Sequence, residues 1–212
     1  MNKIIFTIVA ILLLNFAPLL GKPELMLHYK TLLLAIAAAS LWLSQPAFST
    51  QDTKSHQSSD RSSVLVILIM SSVSVAFAVS EWGYTDAHLS SSLGLTLLGS
   101  TFLLIGITIR IWAIQTLGRH FTATATLVND HKLITDGPYR FVRHPSYLGA
   151  FMAIIGCPIF LNAPIAIVVA VIAMSIAYYI RISVEEAMLT NYFGAVYTNY
   201  KKTTKRLIPY IW

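Results

Sequence analysis

Residues 147–180 read YLGAFMAIIGCPIFLNAPIAIVVAVIAMSIAYYI, and this run decides the fold. It is apolar almost throughout and longer than the ~20 residues that one membrane span needs. The triplet Asn162-Ala163-Pro164 breaks it near the middle, with Pro158 just ahead. Proline and asparagine there mark the tip of a tight turn between two helices. The run is therefore predicted to be a helical hairpin, and a hairpin brings its outer ends together. Both ends are polar. HKLITDGPYRFVRHPSY (131–147) leads in and RISVEEAMLTNYFGAVYTNY (181–200) leads out. Charged and aromatic groups should thus meet at the mouth of an apolar hairpin.

The rest of the chain fits a membrane setting. Of 212 residues, 56% are hydrophobic and 11% charged, against roughly 25% charged in soluble domains. With a mean hydropathy of +0.67, that points to one all-α, polytopic integral membrane protein. The single cysteine, Cys157, excludes an internal disulfide and a cysteine zinc cluster, and reads as a buried small residue. The net charge of +6 is explained by basic loops on one side of a bilayer and does not call for nucleic acid.

Outward from the hairpin, apolar runs occupy residues 4–20, 25–43, 64–80 and 93–117. The first could be a signal peptide, but no clear cleavage site follows, and GKPE leads quickly into the second run; a retained span is expected. His28, Tyr29 and Lys30 open the second run and are expected at the interface. Residues 44–63 are polar and serine-rich, and read as a flexible loop. Most Lys and Arg lie in residues 118–146 and in the tail, whereas EWGYTDAHLSSS (81–92) has none. The first two segments are placed in the cytoplasm and the third outside. This gives about five to six crossings, six if the hairpin fully crosses, with both termini then cytoplasmic; a re-entrant hairpin would leave the polar segments on the same side. The division expected is 1–92, N-terminal transmembrane helices with the polar loop at 44–63, and 93–212, the functional core.

Several residue types at the mouth carry chemistry. Arg181 and Glu185 are four apart, hence on one helical face, with Glu186 on a different side. Such a pair ending a span is a snorkelled salt bridge or a working pair. Asp136-Gly137-Pro138 reads as a turn that uses a positive φ at Gly137. Pro145 suits the first helical position. Arg143, His144, Ser146 and Tyr147 then crowd a helix N-terminus, which favours an anionic ligand or lipid phosphates. The scattered His120, His131 and His144 match no metal-ligand spacing. Gly94, Gly99 and Gly106 in the fourth span are expected to permit close helix packing. No P-loop and no dinucleotide fingerprint is present.

GPYRFVRHPSYLG followed, one hairpin later, by RISVEEAMLTNYFGAVYTNYKKTTKRLIP resembles the isoprenylcysteine carboxyl methyltransferase family, over about the C-terminal half of the chain. The combination is specific: RHPSY, the break, R-x-x-x-E-E, then FG-x-x-Y. Membrane phospholipid methyltransferases share a related layout.

The resemblance implies S-adenosylmethionine as methyl donor and no metal. It places cofactor contacts on His131, Lys132, Leu133, Ile134, Tyr139, His144, Pro145, Ser146, Tyr147 and Glu185, and a substrate-contacting arginine at Arg181. A glutamine that contacts the cofactor in some relatives has no match in FTATATLVND (121–130). Arg181 and Glu185 are the expected catalytic pair. A carboxylate acceptor is already ionised at neutral pH, so positioning and desolvation would suffice without a general base. The implied acceptor is an isoprenylated cysteine or similar lipophilic acid entering from the bilayer. A lipid amine is the alternative reading, and a non-catalytic assembly protein or transporter a third. The compact chain with no retrieval signal is expected in a bacterial plasma membrane, and the site is expected to face the cytoplasm.

Overall fold

The computed structural model describes residues 3–44, 58–88, 92–121 and 132–208. Among the described residues there are seven α-helices: α1 (Lys3–Ile11), α2 (Tyr29–Ser44), α3 (Ser58–Tyr84), α4 (Leu93–Leu117), α5 (Pro145–Leu161), α6 (Pro164–Phe193) and α7 (Ala195–Thr203). Among the described residues the only β pairing is an isolated bridge between Val142 and Lys205. Among the described residues three helical stretches are long and apolar enough to cross a membrane: Ser62–Tyr84, Leu93–His120 and Pro164–Phe193. Three shorter apolar helical stretches accompany them: Lys3–Leu19, Tyr29–Ser44 and Pro145–Leu161. The protein is a multi-pass, all-α membrane protein.

The hairpin forms where the proline and asparagine place it. α5 ends at Leu161, and Asn162 takes a left-handed conformation (φ 60°). Its N–H donates to the carbonyl of Ile159 at 3.1 Å, and Ala163 N–H donates to Pro158 at 2.9 Å. Pro164 then opens α6, where its missing N–H costs nothing. Glu81, which the sequence puts in a loop, belongs instead to the last turns of α3. Its carboxylate accepts from the N–H groups of Ile165 (3.0 Å) and Ala166 (2.6 Å), capping α6 from a neighbouring helix.

α4 and α5 cross at backbone contact. A Cβ at Gly106 would stand 2.6 Å from Ala153 N and from Gly149 O, and one at Gly99 would stand 2.2 Å from Phe160 N. Gly149 and Gly156 answer from α5, facing Arg110 and Leu103. The packing role expected of Gly99 and Gly106 is borne out. Gly94 plays no such part; it sits in the first turn of α4, where a Cβ would meet only Ser92 Oγ, at 3.7 Å. Cys157 is buried in this seam, as expected.

Two other boundaries and the placement of one side chain differ from the sequence reading. α3 begins at Ser58, inside the segment read as loop; Ser and Asp are poor in helix interiors but favoured in the first turn. α6 runs past residue 180 to Phe193, so the polar RISVEEAMLTNYF stretch continues the span as helix. Lys30 is not at the interface but buried at 1% exposure. Its ammonium lies 5.5 Å from the Phe160 ring centroid. α1 and α2 form an antiparallel pair, with Lys3 Nζ donating to Leu43 O at 2.5 Å and the Phe6 and Trp42 rings edge to face.

Candidate active site

The two ends of the hairpin do meet. Before α5, Gly137 takes φ 56°, as the turn reading expected, and Pro138 and Tyr139 form a short helical turn. Pro145 stands in the first turn of α5, and His144, just before it, is buried. From α6, Arg181 and Glu185 come to the same place. Tyr147 Oη accepts from Arg181 Nε at 3.0 Å and donates to Glu185 Oε2 at 2.7 Å. The direct Arg181–Glu185 separation is longer, 3.9 Å. The tyrosine thus couples the pair, which places the guanidinium and the carboxylate side by side. Arg181 is also held from α3, with Nη1 donating to Ser63 Oγ at 3.0 Å.

These groups line a cleft enclosing about 780 Å³ of space, its open mouth included. Of the residues singled out from sequence, Lys132, Leu133, Ile134, Tyr139, His144, Ser146, Tyr147, Arg181 and Glu185 line it. Pro145 does not; it is buried within the first turn of α5. His131 lies outside the described residues. Apolar walls come from Leu117, Phe121, Met188 and Leu189, and α7 adds Tyr197 and Tyr200. Tyr197 is the tyrosine of FG-x-x-Y, which the sequence reading used as a signature without giving it a role; Tyr200 follows one turn later.

α7 closes the cleft through tyrosine hydroxyls. Tyr200 donates to the carbonyl of Tyr139. Burial pushes the Tyr200 phenol up to about 12, against the pull of Arg143. Tyr197 is pushed up further, first by burial and then by the nearby Glu186 and Glu185 charges. Both therefore stay protonated donors at neutral pH. Tyr197 Oη is buried and has no hydrogen-bond partner among the described residues. A buried hydroxyl left unpaired costs ~1–3 kcal/mol, so it is a donor available to a ligand in the cleft.

Two further residues hold the site from behind. Arg110 of α4 is buried, and its Nη1 donates to both the carbonyl and the Oγ of Ser146, each at 3.0 Å. This fixes the start of α5 against α4. The signal was available, since a lone arginine within an apolar span needs a partner. Glu186, on the far side from Glu185, gathers the basic residues. Arg143 Nε and Arg206 Nη2 each reach it at 2.8 Å, and His144 Nε2 stands at 3.4 Å. Arg143 also donates to the Thr204 carbonyl, while the N–H groups of Arg143 and His144 donate to Lys205 and Arg206 carbonyls at 2.8 and 3.2 Å. The tail is thereby clasped to the RHPSY segment. No group of metal-ligating side chains forms among the described residues.

Comparison with known proteins places this arrangement. Residues 97–191 match the model of the isoprenylcysteine carboxyl methyltransferase family. Protein-S-isoprenylcysteine O-methyltransferase of Tribolium castaneum is 33% identical over 147 residues, 63% of this chain and 50% of that protein. The Saccharomyces cerevisiae protein of that name is 35% identical over 118 residues, 55% of this chain and 49% of its own length. Protein-S-isoprenylcysteine O-methyltransferase B of Arabidopsis thaliana is 32% identical over 115 residues, 53% and 58% respectively. The chain thus spans about half the length of the curated relatives it matches. The solved structure of the eukaryotic intramembrane Ras methyltransferase, an isoprenylcysteine carboxyl methyltransferase, shares the fold, with a TM-score of 0.62 at 24% identity over 99% of this chain and 75% of that one. The hairpin, the RHPSY segment and the Arg181–Glu185 pair all lie within residues 97–191, the stretch that is similar to the isoprenylcysteine carboxyl methyltransferase family.

Proposed function

We propose that the protein is an S-adenosylmethionine-dependent methyltransferase acting on the carboxylate of an isoprenylated cysteine or a similar lipophilic acid. The observation that carries this reading is the Arg181–Tyr147–Glu185 chain at the cleft wall. A guanidinium beside a tyrosine-bound carboxylate offers one grip for an anionic acceptor and one for a cationic donor.

The residues present fit the donor. Glu185 supplies negative charge, Tyr139, Tyr147, Tyr197 and Tyr200 present aromatic surface to a cation, and Leu133, Ile134, Met188 and Leu189 supply apolar wall. Tyr197 Oη adds an unspent donor. The chemistry supplied by bound S-adenosylmethionine is an electrophilic methyl on a sulfonium. The chain's own part is positional. Arg181 orients the acceptor carboxylate, Tyr147 and Ser63 fix Arg181, Glu185 with His144–Tyr147 and residues 132–134 holds the donor, and α7 excludes water. No proton needs to leave a carboxylate, so no base is assigned. We read residues 93–212 as the methyltransferase core and 1–92 as supporting helices, with the cleft on the cytoplasmic side because the basic segments flank it.

The test is transfer of labelled methyl from S-adenosylmethionine in liposomes, with a farnesylated cysteine derivative and phosphatidylethanolamine as acceptors. Base-labile label on the prenylcysteine, lost in Arg181→Ala and in Glu185→Ala, is the expected result. Label on the lipid amine alone overturns the carboxylate reading, and absence of donor binding overturns the enzyme reading.

A further inference from the structure

Behind the cleft, on the other side of Arg143, lies a second cavity enclosing about 730 Å³ of space, its open mouth included. Arg143, Lys201, Lys202, Lys205 and Arg206 line it together with a single carboxylate, Glu186. That carboxylate is already committed, since Arg143 and Arg206 both reach it at 2.8 Å. Lys201 stands off at 3.8 Å. Among the described residues Lys202 finds only the neutral Asn199 amide oxygen, at 3.4 Å. Lys205 has no carboxylate within ion-pair distance among the described residues. The cavity therefore holds a clear excess of positive charge. It is also built rather than loose. The Val142–Lys205 bridge and the Arg143 N–H to Lys205 carbonyl bond fix the backbone from which these side chains project.

A concave site with excess guanidinium and ammonium groups suits a phosphate. Its place in the fold selects the source. Arg143 stands just before the apolar helix α5 and Glu186 in the polar last turns of the long apolar helix α6, so the cavity sits at the polar mouth of the hairpin. Exposed apolar side chains flank it: Phe141 before α5, Tyr192 at the end of α6 and Val196 on α7. Such residues settle at the boundary between headgroups and acyl chains. We infer that this cavity binds the phosphate headgroup of an anionic glycerophospholipid, distinct from the donor cleft and sharing only the Arg143 wall with it. Lipid bound there would brace the tail that α7 and residues 204–206 fold over the cleft.

The inference is independent of the methyl-transfer reading and is tested without activity. The full chain is placed in phosphatidylcholine nanodiscs with or without phosphatidylglycerol, and its thermal unfolding is measured. Phosphatidylglycerol should raise the midpoint of the native chain, and Lys202→Gln/Lys205→Gln should lose most of that shift. Both lysines are exposed, so the variant should fold. Arg119→Gln/Arg140→Gln removes equal charge from exposed positions outside the cavity and should keep the shift. No shift in the native chain, equal shifts in both variants, or equal losses in both would overturn the site. An equal rise with inorganic phosphate in pure phosphatidylcholine would overturn the lipid as its source.

Discussion

The two ends of the α5–α6 hairpin are built from the same helices and serve opposite purposes. At the tip, polar groups are spent on structure. Asn162 makes the turn, Glu81 caps α6, and Gly99 lets α4 touch Phe160 at backbone distance. At the mouth, the polar groups are arranged around a space. Arg181, Tyr147 and Glu185 bond to one another and still line the cleft. A polar residue at a hairpin end is therefore not by itself a functional signal. What separates the two ends is whether the side chains close on backbone or border a cavity.

The comparison predicts where substitutions remove the fold and where they remove only chemistry. The largest effect belongs to the seam that carries both ends. Gly106→Leu would drive a side chain into Ala153 N and Gly149 O, each 2.6 Å from the first added carbon. Backbone cannot give way as a side chain tip can, so the cost should reach the upper end of overpacking, about 3 kcal/mol or more. The expected outcome is loss of monodisperse protein in detergent. A well-folded Gly106→Leu protein with an unchanged melting curve would show that the helices are not in backbone contact.

At the mouth, Arg181→Lys keeps the charge and removes the planar fork. Lysine cannot donate to Tyr147 and Ser63 while presenting a bidentate face to a carboxylate. Methyl transfer should fall about 100-fold, the scale for losing a positioned electrostatic donor, while donor binding and melting temperature stay close to the native values. Parallel loss of donor binding would move Arg181 from the acceptor side of the cleft to the donor side.

Much of this was legible in the sequence because it rests on local rules. The span length, the Asn162–Pro164 break, the Gly137 turn and the i, i+4 placement of Arg181 and Glu185 each need only the chain near them. The pairings that span the fold were not legible. Glu186 reads only as lying on a different side of the helix from Glu185; its partner Arg206 is drawn in by the tail, which no periodicity reveals. Lys30 looked like an interfacial anchor, yet helix packing buries it against Phe160. Glu81 read as loop because its ligands, the free N–H groups of α6, are 84 and 85 residues away. Ser58 and its neighbours read as loop because polar composition marks loops and first turns alike.

At the tip, Glu81→Gln should act on stability alone. It removes the negative charge from the α6 N-terminus and one of two acceptors, a loss of about 1 kcal/mol on the scale of helix-end charges. A lower melting midpoint with unchanged methyl transfer is expected. Altered kinetics at full stability would mean that the tip communicates with the cleft along α6.

The smallest effect is the one that most sharpens the comparison. Ser63 lies on α3, outside the residues that match the family model, yet its hydroxyl holds Arg181. Losing one hydrogen bond to a positioned cation costs about 1 kcal/mol or less where other contacts remain. Ser63→Ala should therefore raise KM for the acceptor a few-fold, with kcat and donor affinity unchanged, because Arg181 would still be anchored through Tyr147. Ser63→Thr, which keeps the hydroxyl, should restore the native value. Restoration would make the N-terminal helices part of acceptor positioning. A KM indifferent to both changes would confine the chemistry of the mouth to the hairpin and leave α3 as its packing wall.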